Sequence, residues 1–156
     1  MYLTPDYKEI IELFNKYGVR YLLAGAYAMA TFGYSRSTYD IDLWIDKKEK
    51  NVVKILKALE EFGIPFEITK DDLSKDNSVI QIGVAPVRID ILTDIDGVAF
   101  EDAFNNKKVV DFDGLKVFVL SIDDLLKNKK ASNRAKDKID VIELEAIKKE
   151  DKEWKS

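Results

Sequence analysis

Short strand-like runs alternate with helical stretches along the whole chain, and this alternation constrains the fold more than any other feature. Apolar or alternating runs predict strands at 20–24, 41–45, 79–84, 87–92, 108–112 and 115–120, with a brief strand at 66–68. Helical spacing and capping residues predict helices at 5–16, 26–32, 47–62, 100–104 and 121–148, and a polar loop crosses 71–77. The pattern predicts one α/β domain.

Local turn and capping signals set several boundaries within that domain. Thr4 before Pro5 is typical of a helix N-cap, and Asp113-Gly114 between two apolar runs is typical of a hairpin turn. The last helix is expected to break near Asn133. We therefore expect one domain over 1–156, with a core at about 20–120 and a helical segment at about 121–148.

The side-chain inventory excludes several kinds of chemistry. The chain has no cysteine and no histidine, which excludes disulfides, thiolate nucleophiles, imidazole bases and histidine-ligated zinc. Carboxylates remain, and these are the ligands that Mg²⁺ prefers. No apolar run approaches the roughly 18 residues of a membrane span, and no signal-peptide pattern opens the chain, so a cytoplasmic location is expected. The net charge of −4 disfavours bulk attraction to nucleic acid, although a local basic patch could still bind it.

Two acidic residues lie two apart on the strand predicted around 41–45. The period of two points Asp40 and Asp42 to one face, with their Cα atoms roughly 6.5–7 Å apart. Two ionised carboxylates about 4 Å apart repel by roughly 4 kcal/mol at an effective dielectric of 20. A divalent cation would relieve that repulsion. The alternative is a pair of strand aspartates that face water.

A third acidic residue interrupts an apolar strand. Asp90 lies within 87–92, where the alternate positions are apolar, and a charge in such a strand needs a partner or a function. A salt bridge with Arg88 on the same face is one explanation. The other is that Asp40, Asp42 and Asp90 supply the oxygen ligands of a two-metal phosphoryl-transfer site.

Candidate phosphate-binding residues precede the aspartate pair. Gly25 and Ala26 stand where a strand ends and a helix begins, so their backbone N–H groups could meet a triphosphate. Arg36, Ser37 and Thr38 add a guanidinium and hydroxyls just before Asp40. Simple turn chemistry is the alternative for the glycine, and a polar loop for the other three.

The stretch 25–43 resembles the signature of the DNA-polymerase-beta-like nucleotidyltransferase superfamily, which is Gly-Gly/Ser, a short helix and then Arg-x-Thr-x-Asp-x-Asp. It is most similar to the small bacterial and archaeal branch that includes AbiEii-like toxins. Asp90 matches the third carboxylate, which the family carries on a later strand. A second block of that branch is matched by Asp124, Leu125, Leu126, Lys129, Ala131, Arg134, Lys136, Asp137 and Asp140.

The resemblance implies a mixed sheet flanked by helices, two Mg²⁺ ions that Mn²⁺ could replace, and transfer of a nucleoside monophosphate with release of pyrophosphate. It implies metal binding by Asp40, Asp42 and Asp90. It implies nucleotide binding by Gly25, Ala26, Arg36, Ser37, Thr38, Lys129 and Arg134. The basic stretch 127–138, which holds the last two, could bind an RNA backbone or be a solvated helix face.

We therefore expect an enzyme that uses an NTP and a hydroxyl acceptor, which could be RNA, a protein or a small molecule. A toxin with a separately encoded antitoxin, or another partner chain, is one version of this hypothesis. Ala26 departs from the family pattern, which has glycine or serine there, and this favours a non-catalytic nucleotide-binding or protein-interaction relative. A purely structural α/β domain is the remaining alternative.

Overall fold

The structure is a computed structural model that describes residues 2–155, with side chains described up to Asp151. The described residues form seven helices and six strands. In chain order these are α1 (Pro5–Lys16), β1 (Tyr21–Ala24), α2 (Gly25–Ala30), β2 (Asp40–Ile45), α3 (Glu49–Phe62), α4 (Lys70–Ser74), β3 (Val79–Ile82), β4 (Arg88–Leu92), α5 (Phe100–Asn105), β5 (Lys108–Phe112), β6 (Leu115–Val119), α6 (Ile122–Ser132) and α7 (Ala135–Lys155).

One mixed sheet contains all six strands, in the order β3-β4-β2-β1-β6-β5. Strand β2 pairs parallel with β4 and antiparallel with β1, and β1 pairs parallel with β6. The hairpins β3–β4 and β5–β6 are antiparallel, and the second one turns at Asp113-Gly114, as the sequence predicts. The predicted fold class, a mixed sheet with flanking helices and a C-terminal helical segment, is confirmed.

Capping residues mark the ends of some of the helices. The Thr4 hydroxyl accepts a hydrogen bond from the backbone N–H of Tyr7 at 3.3 Å, and the Ser121 hydroxyl accepts one from Asp124 at 3.1 Å. Asn133 adopts a left-handed backbone conformation (φ 51°) and separates α6 from α7. The predicted break in the last helix is therefore confirmed.

The prediction is wrong for the strand at 66–68 and for the polar loop that follows it. Residues 66–68 form no strand. The segment predicted as a loop is helical up to Ser74, because α4 begins just after Thr69. The Thr69 hydroxyl accepts from the Asp72 N–H at 3.2 Å, while the Asp72 carboxylate accepts from the Thr69 N–H at 2.8 Å. This reciprocal capping, together with the buried side chain of Leu73, stabilises a helix too short to show a periodicity. Helix α7 also continues to Lys155, past the predicted end at 148.

The centre of the sheet is the most deeply buried part of the protein. All four residues of β1 are buried, and so are Leu43, Trp44 and Ile45 at the end of β2. Trp44 packs edge-on against Phe100 in this core, with ring centroids 5.0 Å apart. The first half of β2 is less buried, and that half carries the aspartate pair. Across 2–155, no helix has both the length and the apolar character that crossing a bilayer requires.

Candidate active site

Three carboxylates meet on one face of the sheet. In the parallel pair β2–β4, Asp42 lies opposite Asp90 and Asp40 lies opposite Arg88. Aligned residues of neighbouring strands point to the same face, so all three acids share it. One oxygen atom from each of Asp40, Asp42 and Asp90 lies within 4.8 Å of the other two. The structure therefore brings together the three residues that the sequence singles out.

Arg88 bridges two of these carboxylates. Its Nε donates to Asp90 at 2.8 Å, and its Nη2 donates to Asp90 at 3.0 Å and to Asp40 at 2.7 Å. The salt bridge that the sequence offers as an alternative explanation of Asp90 is thus present. A single guanidinium cannot neutralise three acids, so two negative charges remain in the cluster when all are ionised. The bonds to Asp90 also raise the pKa of Arg88.

Asp42 is the carboxylate for which this arrangement provides no donor. Asp40 accepts hydrogen bonds from Arg88 and, at 2.9 Å, from the Thr38 hydroxyl. No group in the described part of the chain donates a hydrogen bond to the Asp42 carboxylate. Burial, reinforced by the charges of Asp40 and Asp90, raises the pKa of Asp42 to about 7. The charges of Lys129 and Arg88 lower this pKa but do not outweigh burial and the two neighbouring acids, so the protein compensates the charge of Asp42 only in part.

Gly25 contacts the Asp42 carboxylate closely. Its φ is +64°, which only glycine adopts readily, and a Cβ built on it would lie 2.1 Å from Asp42 Oδ2. The adjacent Ala26 is 9% exposed and packs against the apolar core. Two constraints therefore favour glycine at this position: the left-handed backbone conformation and the lack of space for a Cβ beside the Asp42 carboxylate.

We expect Gly25→Ala to destabilise the fold by about 1–3 kcal/mol, since it combines a left-handed alanine with a displaced Asp42 side chain. Gly18→Ala is the matched control, because Gly18 has a φ of +68° and its nearest contact is the end of the Lys54 side chain at 3.9 Å. Urea unfolding of both variants isolates the effect of the clash. Equal losses of stability and equal nucleotide binding in the two variants would contradict this account of Gly25.

A single cleft of about 810 Å³ lies above the three acids. Every residue that the sequence indicates for metal or nucleotide binding lines it. These residues are Gly25, Ala26, Arg36, Ser37, Thr38, Asp40, Asp42, Asp90, Lys129 and Arg134. The lining also includes Lys136 and Arg88, together with amide and hydroxyl groups from Asn77, Ser78, Asn128 and Ser132.

A buried ionic network forms the basic wall of the cleft. Lys129 is 5% exposed, and its ammonium lies 3.2 Å from Asp140 and 3.4 Å from Asp137, both of which are almost wholly buried. Arg36 reaches Asp140 at 3.3 Å, and Arg134 reaches Asp137 at 2.8 Å. Three cations thus share two anions. The wall keeps a net positive charge, although each of its cations is already paired.

Some of these roles are not evident in the sequence. Arg88 is predicted only as a partner of Asp90, and its further hydrogen bond to Asp40 depends on the register of β2 and β4. Asp137 and Asp140 are recognised only as part of a motif, although their spacing of three residues indicates one helix face. Thr38 is predicted to contact nucleotide, and in the structure its hydroxyl orients Asp40.

Comparisons with known proteins agree on the fold. The sequence pattern of the family described as "Nucleotidyltransferase of unknown function (DUF6036)" matches residues 6–154. None of the curated proteins searched matches the sequence. Among solved structures, the lincosamide antibiotic adenylyltransferase LnuA, in its lincomycin-bound form, superposes with a TM-score of 0.61 at 17% identity, covering 93% of this chain and 98% of LnuA. A proposed nucleotidyltransferase from Thermotoga maritima superposes with a TM-score of 0.56 at 19% identity, covering 99% of this chain and 94% of that protein.

Proposed function

Since the chain belongs to the DUF6036 family of nucleotidyltransferases, we propose that it transfers a nucleoside monophosphate from an NTP to a hydroxyl-bearing acceptor and depends on divalent metal ions to do so. The observation that carries the proposal is the state of Asp42. It is half-buried, it accepts no hydrogen bond from the described residues, and it faces two further carboxylates. A cation is what such a carboxylate needs in order to be charged near neutral pH.

The residues at this spot suit Mg²⁺ or Mn²⁺. All three ligands are carboxylate oxygens, which hard divalent cations prefer, and they converge within 4.8 Å of one another. Asp40, Asp42 and Asp90 would hold the ions. When bound, the ions would neutralise triphosphate charge and stabilise the attacking and leaving oxygens.

The protein's own groups would then orient the reactants. Arg88 keeps Asp40 and Asp90 in place through three short hydrogen bonds. The basic wall of the cleft, with Arg36 and Lys129, would attract the triphosphate. A carboxylate would take the proton of the acceptor hydroxyl. Burial raises the pKa of Asp90 towards that of a general base, and its two oxygens would have to share this role with the hydrogen bonds from Arg88.

Three classes of hydroxyl-bearing acceptor are compatible with the proposal. A small molecule is one class, and the structural neighbour LnuA acts on a lincosamide antibiotic. RNA and protein acceptors are the others, and an AbiEii-like toxin with a cognate antitoxin is a version of the RNA class. The non-catalytic alternative is based on Ala26. Ala26 is only 9% exposed, yet it lines the cleft.

Incubation with each labelled NTP, Mg²⁺ and a cell extract tests the proposal. We expect one fraction to become labelled, and the labelled species identifies donor and acceptor together. Asp40→Asn should abolish labelling, whereas Asp102→Asn, which changes an exposed acid on α5, should label as the wild type does. Folded protein that binds NTP but labels nothing with either Mg²⁺ or Mn²⁺ would support the non-catalytic alternative instead.

A further inference from the structure

The outer face of α7 carries an exposed apolar stripe that the proposed function does not use. Ile139 is 59% exposed and Ile142 is 66% exposed, and Ala135 and Ala146 extend the same stripe by one turn at each end. The spacing of four, three and four residues is that of a coiled-coil seam. The opposite face of α7, with Asp137, Asp140 and Leu144, is buried, so the stripe points away from the rest of the protein.

The stripe reads the same in both directions. Its order, alanine, isoleucine, isoleucine, alanine, is symmetric about a point between residues 140 and 141. If two copies of α7 met in antiparallel orientation at that point, Ile139 of each copy would face Ile142 of the other. Ala135 would face Ala146 in the same way. A self-complementary patch of this kind is what a twofold contact between identical chains requires.

The charges beside the stripe have the same symmetry. Lys136 and Glu143 flank one side, and Lys138 and Glu145 flank the other. A twofold axis places the same side of α7 from both copies together. At a rise of 1.5 Å per residue, the lysine of one copy and the glutamate of the other are then offset by only about 3 Å along the helix axis. Lys136 of each copy therefore meets Glu143 of the other, and Lys138 likewise meets Glu145. All four contacts are between opposite charges.

A parallel arrangement does not satisfy these charges. It would place Lys138 beside Glu143 of the second copy, which is favourable, but Glu145 beside Glu150, which is repulsive. In the structure Glu145 lies 2.8 Å from Lys130, and both side chains are about half exposed, so Glu145 remains accessible to a second partner. The charge pattern thus selects the antiparallel orientation.

We propose that a second copy of this chain docks on the stripe and that the protein forms a dimer through antiparallel α7 helices. Sedimentation equilibrium of the full chain tests this directly. The wild type should self-associate, and Ile142→Asp should weaken association by at least about tenfold, because two aspartates would enter an apolar seam. Val109→Asp is the matched control, since Val109 is an apolar side chain of similar exposure (51%) on β5. It should associate as the wild type does.

A charge exchange tests the orientation. Lys136→Glu alone and Glu143→Lys alone should each weaken the dimer, since each places like charges together, and the double variant should restore it. Circular dichroism checks that every variant is folded, which the exposure of these positions favours. A wild type that stays monomeric at the highest soluble concentration overturns the proposal. So does a dimer that Ile142→Asp leaves intact, or a double variant that is weaker than both single ones.

Discussion

Replacing Asp42 with asparagine is expected to abolish nucleotidyl transfer while making the metal-free protein harder to unfold at pH 8. The Asp42 carboxylate is the one cluster member for which the described residues supply no hydrogen-bond donor. Its charge is therefore expected to bind the metal ion and not to stabilise the folded protein. Losing a metal ligand removes several kcal/mol of transition-state stabilisation, which corresponds to a rate loss of about a hundred- to a thousandfold or more. Asparagine has nearly the same shape and no charge to bury.

The stability gain should depend on pH. The pKa of Asp42 rises from 3.8 to about 7 in the folded protein, because burial and the nearby acids disfavour its charge. Between those values the folded state keeps a proton that the unfolded state has released. Stability of the wild type therefore falls as pH rises from about 4 to about 7 and stays low above that. The asparagine variant lacks this loss and should gain roughly 2–4 kcal/mol at pH 8.

Urea unfolding without divalent ions at pH 5 and pH 8 measures this effect. The advantage of Asp42→Asn should be much smaller at pH 5, where most of the wild-type side chain is protonated. Asp102→Asn, on the surface of α5, should show no such pattern. A variant that is less stable than the wild type at both pH values, or that still transfers nucleotide at the wild-type rate, would contradict our assignment of Asp42.

The largest loss of stability is expected from Lys129→Met. Methionine keeps much of the apolar stem, but it leaves Asp137 and Asp140 buried with one cation fewer. Breaking a buried ion pair from one side typically costs about 3–5 kcal/mol, which is a large share of the stability of a small domain. The variant should also bind NTP more weakly, because the wall of the cleft loses a positive charge.

The neighbouring residue provides the control for this prediction. Lys130 forms an exposed pair with Glu145, and such pairs contribute little, so Lys130→Met should change stability by less than about 1 kcal/mol. Adding Asp140→Asn to Lys129→Met should recover part of the loss, since one uncompensated charge is removed. Equal losses for Lys129→Met and Lys130→Met in urea unfolding would show that the buried network does not stabilise the protein.

Much of the fold follows from local signals in the sequence. The cap at Thr4, the turn at Asp113-Gly114 and the period-two alternation around Asp40 all act within a few residues, and each is found where the pattern indicates. Helix α4 escapes prediction because one reciprocal cap and a single buried leucine stabilise it, which is too little to produce a periodicity.

The site depends on contacts that no local pattern contains. Strands β2 and β4 are not consecutive in the chain, and their parallel register is what sets Asp42 opposite Asp90 and Arg88 opposite Asp40. The sequence can show that these charges need partners, but the packing of the sheet decides which partners they find. The same holds for Lys129, whose buried acids lie on the following helix.

The three carboxylates are proposed to form a site for divalent cations that serves a bound nucleotide. Thermal unfolding with Mg²⁺, with NTP and with both tests it most directly, using the wild type, Asp42→Asn, and Asp94→Asn as a control that lines the same cleft but is paired with Lys47. Mg²⁺ and NTP together should stabilise the wild type and the control by roughly 2.7 kcal/mol at a hundredfold excess over Kd. Asp42→Asn should lose most of that joint effect. Equal stabilisation by NTP with and without a divalent ion would contradict the claim.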